Sequence, residues 1–172
     1  MEMTKVGGMV FLTTVANNLC GHGFYQFSPE LIYRVFSPEN GFETTSVTLL
    51  EAAFLSVELA PIRAAYQVAD PEKVRSRVGL LSDSPILMMV DAKRISEVEP
   101  FSTISQQSDY VAAWEREPGS AAPNEAALSG AALSWRSRVY QALPAGWRQT
   151  IRGRRDKIRY SFRNKDFYSK LP

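Results

Sequence analysis

The sequence holds a single cysteine and a single histidine, Cys20 and His22, in 172 residues. One cysteine excludes an internal disulfide, and one cysteine beside one histidine excludes a zinc site built from the usual Cys and His ligands. No apolar run approaches the ~18 residues of a membrane span, and the first residues lack the layout of a secretory signal peptide. We therefore expect a reduced, cytoplasmic setting.

The small net charge of +2 hides an uneven distribution along the chain. Residues 134–172 carry eleven Lys and Arg against two Asp, a net charge of +9. The preceding 133 residues hold nine basic and sixteen acidic side chains, a net charge of −7. An acidic body with a basic tail indicates either docking of the tail on the body or an anionic partner for the tail.

Three segments predict the strands of an α/β fold: residues 9–15, 42–50 and 86–93. The first and third are apolar on both faces, which is typical of strands inside a sheet, whereas the Thr, Ser and Glu of the second favour an edge. Ser28 followed by a proline predicts the start of a short helix over 28–36. A further strand is a candidate at 63–68.

The last third of the chain predicts a linker followed by helices. Large apolar residues are scarce over 115–132, where Ala, Ser, Pro and Gly predominate, so we expect this segment to be flexible and to be cut first by proteases. Helices are predicted over 133–143 and 146–160. The resulting division is a domain over 1–114, the linker over 115–132, and a basic helical tail over 133–172.

One stretch near the N-terminus resembles a known enzyme family. The run GHGFYQFSPELIYRVFSPENGFE, which begins at Gly21, is similar to one bacterial subgroup of the class I S-adenosylmethionine-dependent methyltransferases. The segments QSDY (107–110) and SFRNK (161–165) resemble the same subgroup. The resemblance covers most of residues 5–110 and, more loosely, 134–170.

The resemblance implies that the chain is the C-terminal half of that fold, starting at its fifth strand. The family sheet has the strand order 3-2-1-4-5-7-6, with the seventh strand antiparallel. Segments 9–15, 42–50 and 86–93 then correspond to strands five, six and seven of a partial Rossmann-like sheet. The polarity of the runs agrees with this assignment, which predicts that 86–93 lies between the other two and that 42–50 is the edge.

The cofactor-binding part of that family is missing from the sequence. The family holds S-adenosylmethionine with a glycine-rich turn after its first strand and an acid after its second, and no comparable glycine-rich turn occurs here. We therefore expect a truncated or split methyltransferase half that binds no cofactor and is inactive alone. Its partner would be a complementing N-terminal half, or a second copy paired through strand 9–15.

Residues after the first strand are candidates for the acceptor side of such an enzyme. His22 is a candidate general base, because the pKa of an imidazole lies near operating pH, or it shapes the loop between two glycines. Tyr25 and Gln26 are candidates to hydrogen-bond a polar substrate or to pin the loop to the following helix. Asn17 and Asn18 either line the site or satisfy turn backbone.

Asp109 is the remaining candidate substrate-binding residue. Its carboxylate could orient a hydroxyl of the acceptor, or it could cap the turn that precedes Tyr110. No residue of the chain is assigned to cofactor or metal binding.

The basic tail supports an alternative hypothesis, in which the chain is a binding protein and not part of an enzyme. Basic and aromatic residues alternate over 147–168, a pattern that binds phosphates, stacks on bases or lies on an anionic membrane surface. It is equally the pattern of a solvated helix docked on an acidic body. The alternative function is therefore a non-catalytic binding module whose tail contacts nucleic acid or a membrane surface.

Overall fold

A computed structural model of the chain describes residues 1–54, 60–102 and 135–172. Within these ranges the fold is mixed α/β. Both the predicted linker over 115–132 and Asp109 lie outside the described residues. The elements are, in chain order, β1 (Met9–Asn17), α1 (Pro29–Val35), a 3₁₀ helix (Pro38–Asn40), β2 (Phe42–Ala52), β3 (Ile62–Val68), β4 (Ile86–Arg94), α2 (Trp135–Ala142), α3 (Ala145–Arg159) and β5 (Tyr168–Lys170).

The five strands form one open sheet in the order β1-β4-β2-β3-β5, and each neighbouring pair is antiparallel. The predicted position of the third apolar run, between the first two, is confirmed by the pairing of β4 with both β1 and β2. Because β1 and β2 both run antiparallel to β4, they run in the same direction. A Rossmann sheet is mostly parallel, so the described sheet does not show that arrangement.

The prediction that β2 lies at the edge is wrong, because β3 pairs along its other side. The polar residues of β2 belong to one face of the sheet instead. Thr48 lies opposite Met89, and the Ser46 hydroxyl donates to an Asp91 carboxylate oxygen at 2.6 Å. Side chains alternate between faces along a strand, so these residues lie on the face opposite the buried Val47. Polarity here marks a less buried face and not an edge.

Most of the core lies on one face of the sheet. There α1 and the residues around it cover the central strands, so the inward side chains of β2 and β4 are almost fully buried. On the opposite face, Phe11 of β1 is 74% exposed and Met89 of β4 is 43% exposed. The buried cluster consists of Ile32, Phe36, Phe42, Val47, Leu49, Val68, Ile86, Met88, Val90, Ala92, Phe167 and Tyr168.

The two predicted helices of the tail are confirmed as α2 and α3, but the tail is not helical throughout. Tyr168 to Lys170 form β5, which pairs with β3 and completes the sheet. Phe167 and Tyr168 are buried in the core, and the Phe162 ring stacks on Tyr66 with centroids 3.9 Å apart. Burial of these aromatic rings holds the last part of the tail on the sheet. No helix of the described ranges is long and apolar enough to cross a membrane.

Helix α1 confirms the helix predicted over 28–36. The Ser28 hydroxyl oxygen accepts a hydrogen bond from the Leu31 backbone N–H at 3.2 Å, which is N-cap geometry. On the helix, the Tyr33 hydroxyl donates to the Val68 carbonyl at 2.7 Å. The helix is thus tied to the end of β3, and its apolar residue Ile32 enters the core.

The Tyr33 hydroxyl makes folding sensitive to high pH. Burial, helped by the charge of Asp70, raises its pKa from 10.0 to about 12. A phenol with a higher pKa in the folded chain stabilises the fold below pH 10, and this contribution is lost as the pH rises towards 12. Tyr33→Phe removes both this titration and the hydrogen bond to Val68.

We expect Tyr33→Phe to be less stable than the wild type at pH 8, and the difference to shrink between pH 10 and 12. Chemical denaturation across this pH range measures it. Tyr25→Phe makes the same chemical change on an exposed ring and is the control. A difference from the wild type that stays constant over this pH range would contradict the assignment to Tyr33.

Candidate functional site

The sequence candidates lie on the loop between β1 and α1, which the fold closes at its base. The Phe27 backbone N–H donates to the Val15 carbonyl at 2.9 Å, so the two ends of the loop meet. Leu19 is buried beneath the loop, whereas residues 20–26 are exposed. The loop therefore stands on a fixed base and presents its tip to solvent.

Asn17 and Asn18 hold this loop against the segment that leads into β4. The Asn17 side-chain amide donates to the Leu80 carbonyl at 3.4 Å. The Asn18 amide donates to the carbonyls of Ser82 and Ser84, the latter at 2.9 Å. Both side-chain amides thus donate to backbone carbonyls of the segment at residues 80–84.

Asn18 also adopts a left-handed backbone conformation, with φ of 57°. Asparagine tolerates this conformation better than alanine does, and glycine adopts it without strain. We expect Asn18→Ala to lower the free energy of unfolding by about 2–3 kcal/mol, through lost hydrogen bonds and backbone strain together. Asn18→Gly keeps the backbone conformation and should lose about 1 kcal/mol less than Asn18→Ala.

Urea unfolding of the two Asn18 variants beside the wild type makes this comparison. The order wild type, Asn18→Gly, Asn18→Ala in decreasing stability is the expected result. Equal stability of all three proteins would mean that the hydrogen bonds from Asn18 to Ser82 and Ser84 do not stabilise the fold.

Gln26 and Tyr25 differ in how much of each side chain is free for a ligand. The Gln26 carbonyl oxygen accepts from the Leu19 N–H at 3.2 Å, and its amide donates to the Cys20 sulfur at 3.8 Å. Gln26 therefore pins the loop internally. The Tyr25 ring is 73% exposed, and its centroid lies 6.3 Å from that of the Phe27 ring.

His22 lies at the exposed tip of the loop. Its backbone N–H donates to the Leu19 carbonyl at 2.9 Å, and the following Gly23 has a positive φ of 76°. The turn thereby places the imidazole at the surface, near Phe24 and Tyr25 in the chain. The structure brings five of the six predicted residues onto one loop and its base, and Asp109 lies outside the described residues.

Among the described residues, only the loop itself is placed to contact a ligand at its tip. The imidazole and phenol at the loop tip supply hydrogen-bonding groups, but the described residues around them leave the tip open to solvent. A second surface is needed to enclose a substrate there. Among the described residues, no group of three or more His, Cys, Asp or Glu side chains is placed to hold a metal ion.

One charged cluster was not predicted from the sequence. The Arg34 guanidinium lies 2.6 Å from the Glu72 carboxylate, 3.0 Å from that of Asp70 and 3.6 Å from that of Glu30. Only the pair with Glu30, four residues earlier on α1, has a signal in the sequence. The cluster joins α1 to the segment after β3 and so has a structural role.

Comparison with known proteins adds no relative of this chain. No protein-family model, no curated protein and no solved structure matches it. Its function is therefore inferred from its own residues and its own sheet.

Proposed function

We propose that the chain corresponds to the acceptor-side half of a class I S-adenosylmethionine-dependent methyltransferase, from its fifth strand onward, and that these residues are inactive alone. The observation that supports this is the placement of β4, antiparallel between two strands that share a direction. In that family the seventh strand lies in the same way between strands five and six. The resemblance of residues 21–43 to that family predicts the same order.

The free edge of β1 is the place where the fourth strand of such an enzyme would pair. β1 is the first strand in the sheet order, so its outer N–H and C=O groups have no strand partner among the described residues. A complementing N-terminal half would supply that strand and would also cover the open face around Phe11. It would provide a second surface beside the loop at residues 18–27.

The residues present do not fit the cofactor. β1 reaches α1 through an eleven-residue loop and not through a tight glycine-rich turn, and α1 has seven residues. No G-x-G-x-x-G run occurs in the chain. The proposed contribution of the chain is to position the acceptor, with His22 as the candidate to take a proton from it.

Cofactor binding tests the proposal. Isothermal titration of the isolated chain with S-adenosylmethionine should give no binding. The DNA upstream of the Met1 codon should encode a glycine-rich strand-turn-helix segment, and co-expression of that segment with the chain should restore binding. A micromolar dissociation constant for the isolated chain, or an upstream region without such a segment, would contradict the proposal.

In the reconstituted enzyme, His22→Gln separates the two readings of the loop. A general base contributes about 10²–10⁴-fold to the rate, so the variant should lose kcat by this factor if His22 takes the proton. An unchanged kcat would assign His22 to shaping the loop. Phe24→Ala, a change at a neighbouring exposed residue, is the matched control.

The alternative function, a binding module with an anionic partner, is favoured by a different observation. Helix α3 carries six cationic side chains, all of them exposed. None of the six forms an ion pair with a carboxylate of the described residues. Docking of the tail by charge on the acidic body, expected as one possibility, is thus not seen in the described part of the chain.

A further inference from the structure

The basic tail folds into a groove that the sequence does not reveal. The groove has a volume of about 970 Å³ and lies between the C-terminal turns of α3, Tyr140 of α2 and the segment after α3. Its lining residues are Tyr140, Arg152, Arg155, Asp156, Ile158, Arg159, Tyr160, Arg163, Asn164, Lys165 and Asp166.

Positive charge predominates in this groove. Five of the lining side chains are cationic and two are carboxylates, a net charge of +3. No carboxylate of the described residues forms an ion pair with any of the five. Unpaired guanidinium groups that converge on one concavity are suited to phosphate groups, which they bind through paired N–H donors.

The arginines of α3 form a continuous stripe. Arg148, Arg152, Arg155 and Arg159 follow one another at spacings of four, three and four, so they lie on one face of the helix. At 1.5 Å per residue the stripe is about 16 Å long. A stripe of this length can contact more than one phosphate of a polynucleotide.

The opposite wall of the groove is held in place by its own hydrogen bonds. The Asn164 amide donates to the Arg159 carbonyl at 2.8 Å, and the Ser161 hydroxyl donates to the Ile158 carbonyl at 2.9 Å. Phe162 and Tyr168 anchor the same segment to the sheet through edge-to-face ring contact, 5.2 Å between centroids. The cationic side chains of Arg163 and Lys165 therefore project from a fixed turn.

Aromatic rings accompany the charges. Tyr140 and Tyr160 both line the groove, and the Arg159 guanidinium lies 5.5 Å from the centroid of the Tyr160 ring. A positive groove with aromatic side chains is how proteins bind single-stranded nucleic acid without sequence preference, since the bases stack on the rings. A membrane-surface helix needs a broad apolar face, and among the residues of α3 only Trp147, Ile151 and Ile158 are large and apolar.

We propose that this groove binds the phosphate backbone of a single-stranded polynucleotide, with Arg152, Arg155 and Arg159 on one side and Arg163 and Lys165 on the other. The inference deepens the binding-module alternative and does not depend on the methyltransferase proposal. The arginine stripe runs beyond the groove to Arg148, which favours a polymer over a free nucleotide.

Fluorescence anisotropy of the full chain with a labelled oligouridylate of about 12 nucleotides tests this inference. Five phosphate contacts predict a slope of about −3.5 for log K against log salt concentration, measured between about 50 and 200 mM. Arg155→Ala should weaken binding about tenfold and reduce the slope by about 0.7. Arg154→Ala removes the same charge from the same helix outside the groove, so its slope should stay near that of the wild type.

Four results would overturn the inference. The first is no binding of the oligonucleotide at the lowest salt concentration, and the second is an equal loss for Arg154→Ala and Arg155→Ala. The third is preferential binding to vesicles of anionic lipid, abolished by Trp147→Ala, which would assign the helix to a membrane surface. The fourth is displacement of the oligonucleotide by free uridine diphosphate at the same phosphate concentration, which would identify the ligand as a nucleotide and not a polymer. Circular dichroism confirms that each variant is folded.

Discussion

Replacing Phe11 and Thr13 by lysine is expected to turn a self-associating chain into a monomer. β1 is a nine-residue strand at the edge of the sheet, and an exposed apolar edge pairs readily with the same edge of another copy. Both side chains are exposed, so the lysines add charge without disturbing the core. In an antiparallel dimer about β1, the two copies would bring four new positive charges together. Sedimentation velocity of the wild type and the double variant measures the change.

The structure decides which substitutions test the edge. Val15 also lies on β1 but is only 9% exposed, so a lysine there would test the core and not self-association. Phe24→Lys places the same charge on a fully exposed loop residue and should leave association unchanged. A wild-type chain that sediments as a monomer and unfolds cooperatively would show that the outer edge of β1 needs no further strand to pair with. The methyltransferase-half proposal would then lose the argument from the free edge of β1.

Phe42→Ala is expected to lower the free energy of unfolding by about 3–5 kcal/mol, the usual loss for a large aromatic residue removed from a core. Phe42 is only 1% exposed and meets the Phe36 ring edge-to-face, 5.5 Å between centroids. The ring joins the start of β2 to the end of α1, so its removal leaves a cavity between the helix and the sheet. Domains are stable by about 5–15 kcal/mol in total, so much of the stability depends on this residue.

Denaturant unfolding of Phe42→Ala beside Phe24→Ala makes the comparison. The second variant removes the same side chain from a fully exposed position and should change stability by less than about 0.5 kcal/mol. A loss of less than about 1 kcal/mol for Phe42→Ala would contradict the placement of Phe42 in the core.

The local sequence pattern predicts the elements that have a clear apolar run or a clear boundary in the sequence. The sequence alone shows the continuous apolar runs of β1 and β4 and the N-cap at Ser28. The placement of β4 between β1 and β2 was also predicted. The edge was predicted wrongly because polar residues in β2 have two explanations, an edge or a less buried face, which only the pairing partner distinguishes. β5 gave no signal, because three residues are too few for a periodicity.

The candidate site was predictable only in part. The loop residues were identified through a resemblance, and the structure then separated the exposed Tyr25 from Asn18, whose amide is used by backbone carbonyls. The groove on α3 was not predictable, although each of its arginines is visible in the sequence. The groove exists because Phe162 and Tyr168 pack the end of the tail against the sheet. This tertiary contact leaves no local pattern in the sequence.

The pairing of β5 with β3 also constrains when this chain can finish folding. Tyr66 of β3 pairs with Lys170, more than a hundred residues later in the sequence. Contacts this distant form slowly, because a long segment of chain must be ordered before they are made. During synthesis, β3 would leave the ribosome well before its outer partner. Its free edge would be exposed to other nascent chains until β5 is available, which is the interval in which misassembly occurs.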